Sequence, residues 1–228
     1  SIENHLANAE GGCELLDFKQ GDSWLLSLPL FHVSGQGIVW RWLLQGATLY
    51  VNEDKADFFE LLSQVSHASL VPTQLQRYLA SAELHKRSKK QTVLLGGAAI
   101  PAELVQQAKV QGITTFSGYG MTEMASTICA VKDELDNVGK PLAGREIRLV
   151  ENEIWVKGNC LALGYWQKNG EIRPLTNEQG WLQTKDLGQW NAQDHLIVKG
   201  RLDNMFISGG ENIQPEEVEQ VLFASGLL

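Results

Sequence analysis

The sequence predicts an α/β fold: a mostly parallel, helix-covered sheet, then a small antiparallel β-subdomain, then the start of an α+β unit. Three observations carry this. Five short runs between Trp24 and Gly120 are almost continuously apolar, as strands buried on both faces must be. Stretches with apolar residues at helical spacing separate them, and strand alternating with helix makes a parallel sheet. Beyond about Asp136 the texture changes to alternating polarity punctuated by turn residues, the pattern of antiparallel hairpins.

The strands are read at "WLLSLPLF" (24–31), "ATLYV" (47–51), "ASLVP" (68–72), "TVLLGG" (92–97) and "ITTFSGYG" (113–120), each closed by Gly, Pro or a polar turn. The helices are read at "GIVWRWLLQG", "ADFFELLSQV", "TQLQRYLASAEL" and "PAELVQQAKVQG". Pro101 suits a first helical turn and Gly112 a helix end. Later, "REIRLVENEIWVKG" and "LQTKDLGQWNAQDHLIVKG" read as hairpins turning at Glu151-Asn152 and at 191–194. A last helix is expected from Pro215, with glutamates in its first turn to suit the helix dipole. These divisions give three units: 1–135, 136–200 and 201–228.

A chain of 228 residues, 43% apolar and 20% charged, has ordinary globular composition and can bury a sizeable core. A net charge of −8 argues against nucleic acid as a partner, which needs a basic patch. The three cysteines form no CxxC pair, so neither a zinc ribbon nor a disulfide framework is readable. With no run of about 18 apolar residues and no signal segment, the expectation is a cytoplasmic protein without a membrane span, with room for a homo-oligomer. The chain starts without Met and stops within an amphipathic stretch, so a fragment is expected.

Five segments carry chemistry. In "LLGGAAIP", Gly97 and Ala98 leave backbone bare at a strand's carboxyl end, where open α/β sheets bind ligands; a tight turn is the plainer alternative. In "FSGYGMTE", Gly118, Gly120 and Met121 flank Tyr119, which can border a base. There Thr122 can bond a phosphate and Glu123 can hold Mg²⁺; a turn followed by an N-capping Thr is the alternative. In "LPLFHVSGQGIVWR", His32 and Ser34 can line an acid pocket, and Arg41 can take a carboxylate through its fork, against structural or solvated roles. In "LQTKDLG", Asp186 can accept from both ribose hydroxyls or simply sit in a turn. In "GRLDNMFISGG", Arg201 and Asp203 fall where a linker between moving domains belongs. No GxxxxGK[ST], GxGxxG or GxSxG segment occurs, which excludes a P-loop, a Rossmann dinucleotide site and a nucleophile elbow.

In this order, from about Trp24 to Glu219, the segments resemble the adenylate-forming superfamily of acyl- and aryl-CoA ligases, peptide-synthetase adenylation domains and luciferases. "YGMTE", "ENEIWVKGNCLALGYW" and "GRLDNMFISGGENIQPEEVE" are its most specific parts. Within it the nearest likeness is to the o-succinylbenzoate–CoA ligases of menaquinone biosynthesis, carried by "SLPLFHVSGQGIVWRWLLQGA", "HASLVPTQL" and "LLGGAAIP". The resemblance implies a partial N-terminal domain of that superfamily and the beginning of its C-terminal one. It implies ATP, Mg²⁺ and coenzyme A, and an aromatic or acyl carboxylate as substrate. It implies that Thr122, Glu123 and His32 are catalytic, with Glu123 the metal ligand. Gly97, Ala98, Gly118, Tyr119, Gly120, Met121, Thr122, Asp186 and Arg201 would hold the nucleotide, and His32, Ser34, Arg41 and Gly97 the acid. Asp203 would be the hinge, and Gly209 and Gly210 would line the CoA route.

Three departures qualify it. The family's phosphate loop would precede "PLFH" and is absent, its C-terminal lysine would fall beyond Leu228, and Lys185 replaces a glycine. These residues alone are therefore expected to bind adenylate with little turnover. Activation of another acid, carrier-protein loading, and a non-catalytic adenylate-binding role stay open as alternatives.

Overall fold

A computed structural model of the chain describes residues 1–222 except Leu135, Met205, Gly209, Gly210, Gln214, Glu216, Glu217 and Gln220. The expected CoA-route glycines, Gly209 and Gly210, lie outside the described residues.

The first element is absent from the sequence reading. Helix α1 (Ile2–Leu16) is N-capped by Ser1, whose hydroxyl accepts from the Asn4 amide. Gly11 and Gly12 disguise it, since each glycine costs a helix about 1 kcal/mol relative to Ala. Their reason is tertiary. A Cβ on Gly11 would lie 2.6 Å from Arg145 Nη1, and one on Gly12 would lie 2.8 Å from Arg41 Nε. The two glycines make room for two buried arginines.

Strands β1 (Ser23–Leu25), β2 (Thr48–Tyr50), β3 (His67–Leu70), β4 (Gln91–Leu95), β5 (Ile113–Met121) and β6 (Ser126–Lys132) form one sheet in the order β2-β1-β3-β4-β5-β6. All neighbours pair in parallel except β5 and β6. The strand expected over 24–31 stops at Leu25, because Pro29 has no N–H for a ladder and its carbonyl instead accepts from the His32 amide. Helix α2 (Val33–Gln45) follows, then α3 (Phe58–Gln64), α4 (Pro72–Leu79) and α5 (Ala102–Val110).

Period-2 alternation divides the sheet's residues between two cores. Leu25, Val93 and Leu95 face Leu62, Leu75, Tyr78, Leu104 and Ala108 of α3, α4 and α5. Trp24, Leu94 and Phe116 face Cys13, Leu16 and Ile38 of α1 and α2. Helices thus cover both faces, as the apolar runs require. At roughly 1.5–3 kcal/mol per fully buried large side chain, these two layers supply the main favourable term holding β4 and β5 in place.

A second sheet contains β7 (Arg145–Val150), β8 (Glu153–Gly158), β11 (Leu182–Trp190) and β12 (Leu196–Arg201), ordered β12-β11-β8-β7 and wholly antiparallel. Its β7–β8 turn is Glu151-Asn152 at φ 51 and 65, the paired positive φ of a tight two-residue hairpin. Ile154, Val156, Leu182 and Leu196 of this sheet pack against Met124, Ile128 and Cys129 after β5 and on β6. Small hairpins β9 (Tyr165–Trp166) with β10 (Ile172–Arg173), and β13 (Phe206–Ser208) with β14 (Glu211–Ile213), complete the description.

Candidate functional site

The open backbone expected after β4 is present. Gly97 holds φ 82, and Gly97 and Ala98 are exposed. A Cβ on Gly96 would stand 3.7 Å from the Gly118 carbonyl oxygen, so the two strand ends are neighbours. Gly120 is needed for a different reason. A Cβ there would sit 2.0 Å from the Ser126 carbonyl oxygen, where β6 folds back on β5. Thr122–Met124 is a single 3₁₀ turn leading into that strand, closed by Ala125 at φ 54. A Thr capping a following helix, the alternative reading of this segment, does not occur.

Tyr119, Asp186, Arg201 and Asp203 form one chain of contacts. The Tyr119 hydroxyl donates to Asp186 Oδ2 at 2.6 Å, and Arg201 Nη1 donates to Asp186 Oδ1 at 3.4 Å. Arg201 turns its Nε and Nη2 to the two oxygens of Asp203 at 2.8 and 3.0 Å. The site owes its shape to Lys185, which adopts φ 64 in the left-handed region natural to glycine. There its amide donates to Glu153 Oε1 and its carbonyl accepts from the Leu202 amide. The β11–β8 register shifts over the same stretch, and Thr184 Oγ accepts from the Asp186 amide. Asp186 is thereby held buried at 8% exposure, opposite Arg201 on β12.

Burial raises the Asp186 carboxyl above its ordinary value, while Tyr119 and Arg201 pull it back down. Burial, with the facing carboxylate, raises the Tyr119 phenol still further above its own, so the proton stays on the phenol and Tyr119 is the donor. The Asp203 hydrogen bond, helped by the Asp186 charge, raises Arg201 and keeps it cationic; the same bond lowers Asp203. An ionised carboxylate accepting from two groups can exchange a donor for another hydroxyl without losing its charge pairing.

Glu123 lies on the same turn. The Tyr165 hydroxyl donates to its Oε1 at 2.6 Å, and the Glu123 carbonyl accepts from the Ala162 amide at 2.7 Å. Thr122 is exposed beside it. Among the described residues no group of three or more His, Cys, Asp or Glu side chains could hold a metal alone. One carboxylate with a spare oxygen does fit Mg²⁺ arriving with phosphate oxygens, since that ion keeps most ligands from substrate and water.

The α2 residues form a separate group. His32 is the N-cap residue of α2, exposed, its ring 4.6 Å from that of Phe31 and making no capping hydrogen bond. Ser34 is half-buried in the first turn. Arg41 lies two turns further, 1% exposed, its guanidinium 4.9 Å over the Trp24 ring. Neither its Nε nor its Nη1 has a hydrogen-bond partner. Burial lowers its pKa to about 10, and Arg145 adds a smaller push in the same direction. A solvated Arg41, the plainer expectation, is excluded. Met121 is half-buried beside Tyr119 in the core beneath the second sheet.

Sequence reasoning named Tyr165 only as part of a motif and gave it no role; its contact with Glu123 spans 42 positions. Thr184 and Glu153, which fix the Asp186 turn, were also missed.

Comparison with known proteins gives concordant matches. A family model described as AMP-binding enzyme matches residues 1–166. The chain is 58% identical over 225 residues to a 2-succinylbenzoate–CoA ligase of Haemophilus influenzae, covering 97% of this chain and 49% of that protein. It is 53% identical over 225 residues to the enzyme of that name from Escherichia coli, covering 98% and 49%. Among solved structures, O-succinylbenzoate coenzyme A synthetase from Bacillus subtilis, in complex with ATP and magnesium ion, matches at TM-score 0.87 and 30% identity, covering 99% of this chain and 51% of that one. The chain spans about half the length of the curated relatives it matches.

Proposed function

The chain belongs to the AMP-binding enzyme family, and on that premise we propose that it serves an ATP-dependent acid–CoA ligase working through an acyl-adenylate, with 2-succinylbenzoate as the acid. The observation that carries this is the pairing of a carboxylate for hydroxyls, Asp186 bonded to Tyr119 near the end of β5, with a carboxylate for a cation, Glu123 on the turn that follows that strand. Asp186 holds two donors that ribose hydroxyls resemble, and Glu123 keeps one oxygen outside its bond to Tyr165.

In the first half-reaction the acid's carboxylate oxygen attacks the α-phosphorus of ATP, and pyrophosphate leaves. In the second, CoA thiolate attacks the acyl carbon, and AMP leaves. No enzyme nucleophile is needed; positioning and charge neutralisation do the work. Gly97, Ala98, Gly118, Gly120, Met121 and Tyr119 frame the base, Asp186 and Arg201 hold the ribose, and Thr122 bonds the α-phosphate. Glu123 would hold the magnesium ion, which would supply neutralisation of phosphate charge. His32 and Ser34 border the acid, His32 nearest the reacting carboxylate. The second carboxylate of 2-succinylbenzoate needs a buried cation with free N–H groups, and Arg41 has two such groups.

Residues 1–135 and 136–200 act as the two parts of the nucleotide-binding half, and 201–228 as the hinge and the start of the C-terminal domain. Asp203 is that hinge, and Gly209 and Gly210 border the CoA route. A cytoplasmic setting agrees with three buried free cysteines, and among the described residues no helix is long and apolar enough to cross a membrane.

Calorimetric titration tests the reading. AMP should bind, GMP should bind much more weakly, and 2-succinylbenzoate should bind better than benzoate when AMP is present. Failure to bind AMP contradicts the nucleotide site; equal affinity for the two acids contradicts the dicarboxylate assignment.

A further inference from the structure

We propose that Tyr165 is the positioning residue for Glu123, holding Oε1 of its carboxylate so that Oε2 is left for the divalent cation that accompanies ATP. The inference rests on the nucleotide reading above and adds a residue to it.

Four observations support it. The phenol donates to Oε1 at 2.6 Å, a short bond of the charge-assisted kind. Among the described residues no hydrogen bond to Oε2 is present, so they hold the carboxylate at Oε1 alone. The segment carrying Tyr165 is fastened to the same residue a second time, by the Ala162 amide on the Glu123 carbonyl at 2.7 Å. The tyrosine itself is held in place: the Arg173 guanidinium stands 5.2 Å over its ring from the paired strand. Gly164 lets that pairing close, because a Cβ there would fall 2.3 Å from Ile172 Cγ2 and 2.4 Å from the Arg173 carbonyl oxygen.

Tyr165 is 43% exposed, so the hydroxyl is not needed to satisfy a buried group. A flexible carboxylate at a strand end would otherwise have to be ordered on each binding event. Fixing it beforehand removes that entropy cost. Outer partners of metal-binding carboxylates commonly govern metal affinity by about 10–100-fold.

The test uses Tyr165→Phe, which keeps the ring under Arg173 and removes only the hydroxyl. Binding of Mn²⁺ with ATP is followed by loss of the free-Mn²⁺ electron paramagnetic resonance signal, and binding of AMP without metal by calorimetry. The expected result is an affinity for Mn²⁺·ATP lower by about 10-fold, with AMP affinity changed by less than about two-fold. In a Glu123→Gln background, Tyr165→Phe should have no further effect. Equal weakening of both nucleotides would mean a merely structural role and overturn the proposal, as would no change in either. If the unaltered chain binds AMP but no Mn²⁺·ATP, the proposal fails while the adenylate reading stands. If it binds neither, both fail.

Discussion

Arg41 keeps a charge inside the protein with Nε and Nη1 unpaired, an arrangement that costs stability unless a ligand completes it. Arg41→Met removes the charge and keeps most of the volume against Trp24 and Gly12. Thermal unfolding should therefore show stability unchanged or raised, by up to about 3 kcal/mol, while affinity for 2-succinylbenzoate falls at least about ten-fold and that for AMP does not. A stability loss together with intact acid binding would make Arg41 a structural residue. Lys185 is strained in its backbone. Its left-handed φ of 64 costs about 1–2 kcal/mol, part of which glycine returns through unfolded-state freedom, about 0.4–1 kcal/mol. Lys185→Gly should raise the urea midpoint by the equivalent of about 0.5–1 kcal/mol at unchanged slope. Lys185→Val should lower the midpoint.

At the scale of elements, the β5–β6 hairpin decides whether the site exists. Gly120→Ala puts a methyl 2.0 Å from the Ser126 carbonyl oxygen, so the strands must separate at the turn that carries Thr122 and Glu123. The expected cost exceeds about 2 kcal/mol, and nucleotide affinity should be lost with it. Gly96→Ala, whose Cβ meets nothing nearer than 3.7 Å, is the control and should leave the fold intact by circular dichroism. The strands of the first sheet were legible because burial on both faces writes continuous apolar runs, and Asp186 could be singled out as a candidate because its neighbours match a known motif. Helix α1 was not, because Gly11 and Gly12 answer to Arg145 and Arg41, which only the folded chain brings near. The Tyr165–Glu123 bond was illegible for the same reason: neither residue's local pattern refers to the other. β1 was overread, because the apolar run continued past Leu25 although Pro29 forbade the ladder.

Across the whole molecule, α1 and the first sheet are joined at His67, whose Nε2 donates to the Leu16 carbonyl while Nδ1 stands 2.9 Å from Ser66 Oγ and, with the ring neutral as burial favours, accepts from it. This assignment of roles requires a neutral ring. Burial lowers the His67 pKa below its usual 6.5, so the unfolded chain binds a proton more readily than the folded one. His67's contribution is fully present above pH 6.5 and is lost as pH falls from there through the lowered folded value. Denaturation midpoints should drop as pH falls below about 6.5, and His67→Gln should flatten that drop; an unchanged profile would remove His67 as its source. Since the chain spans about half the length of its relatives, adenylate binding with little CoA-ester formation is the behaviour expected of these 228 residues alone; substantial thioester formation would contradict it. The most direct measurement is a crystal structure of the chain with AMP. Adenine should lie against Gly97, Gly118 and Tyr119, with both ribose hydroxyls on Asp186 and Arg201 beside them. AMP bound elsewhere, or ribose making no contact with Asp186, would contradict the adenylate reading.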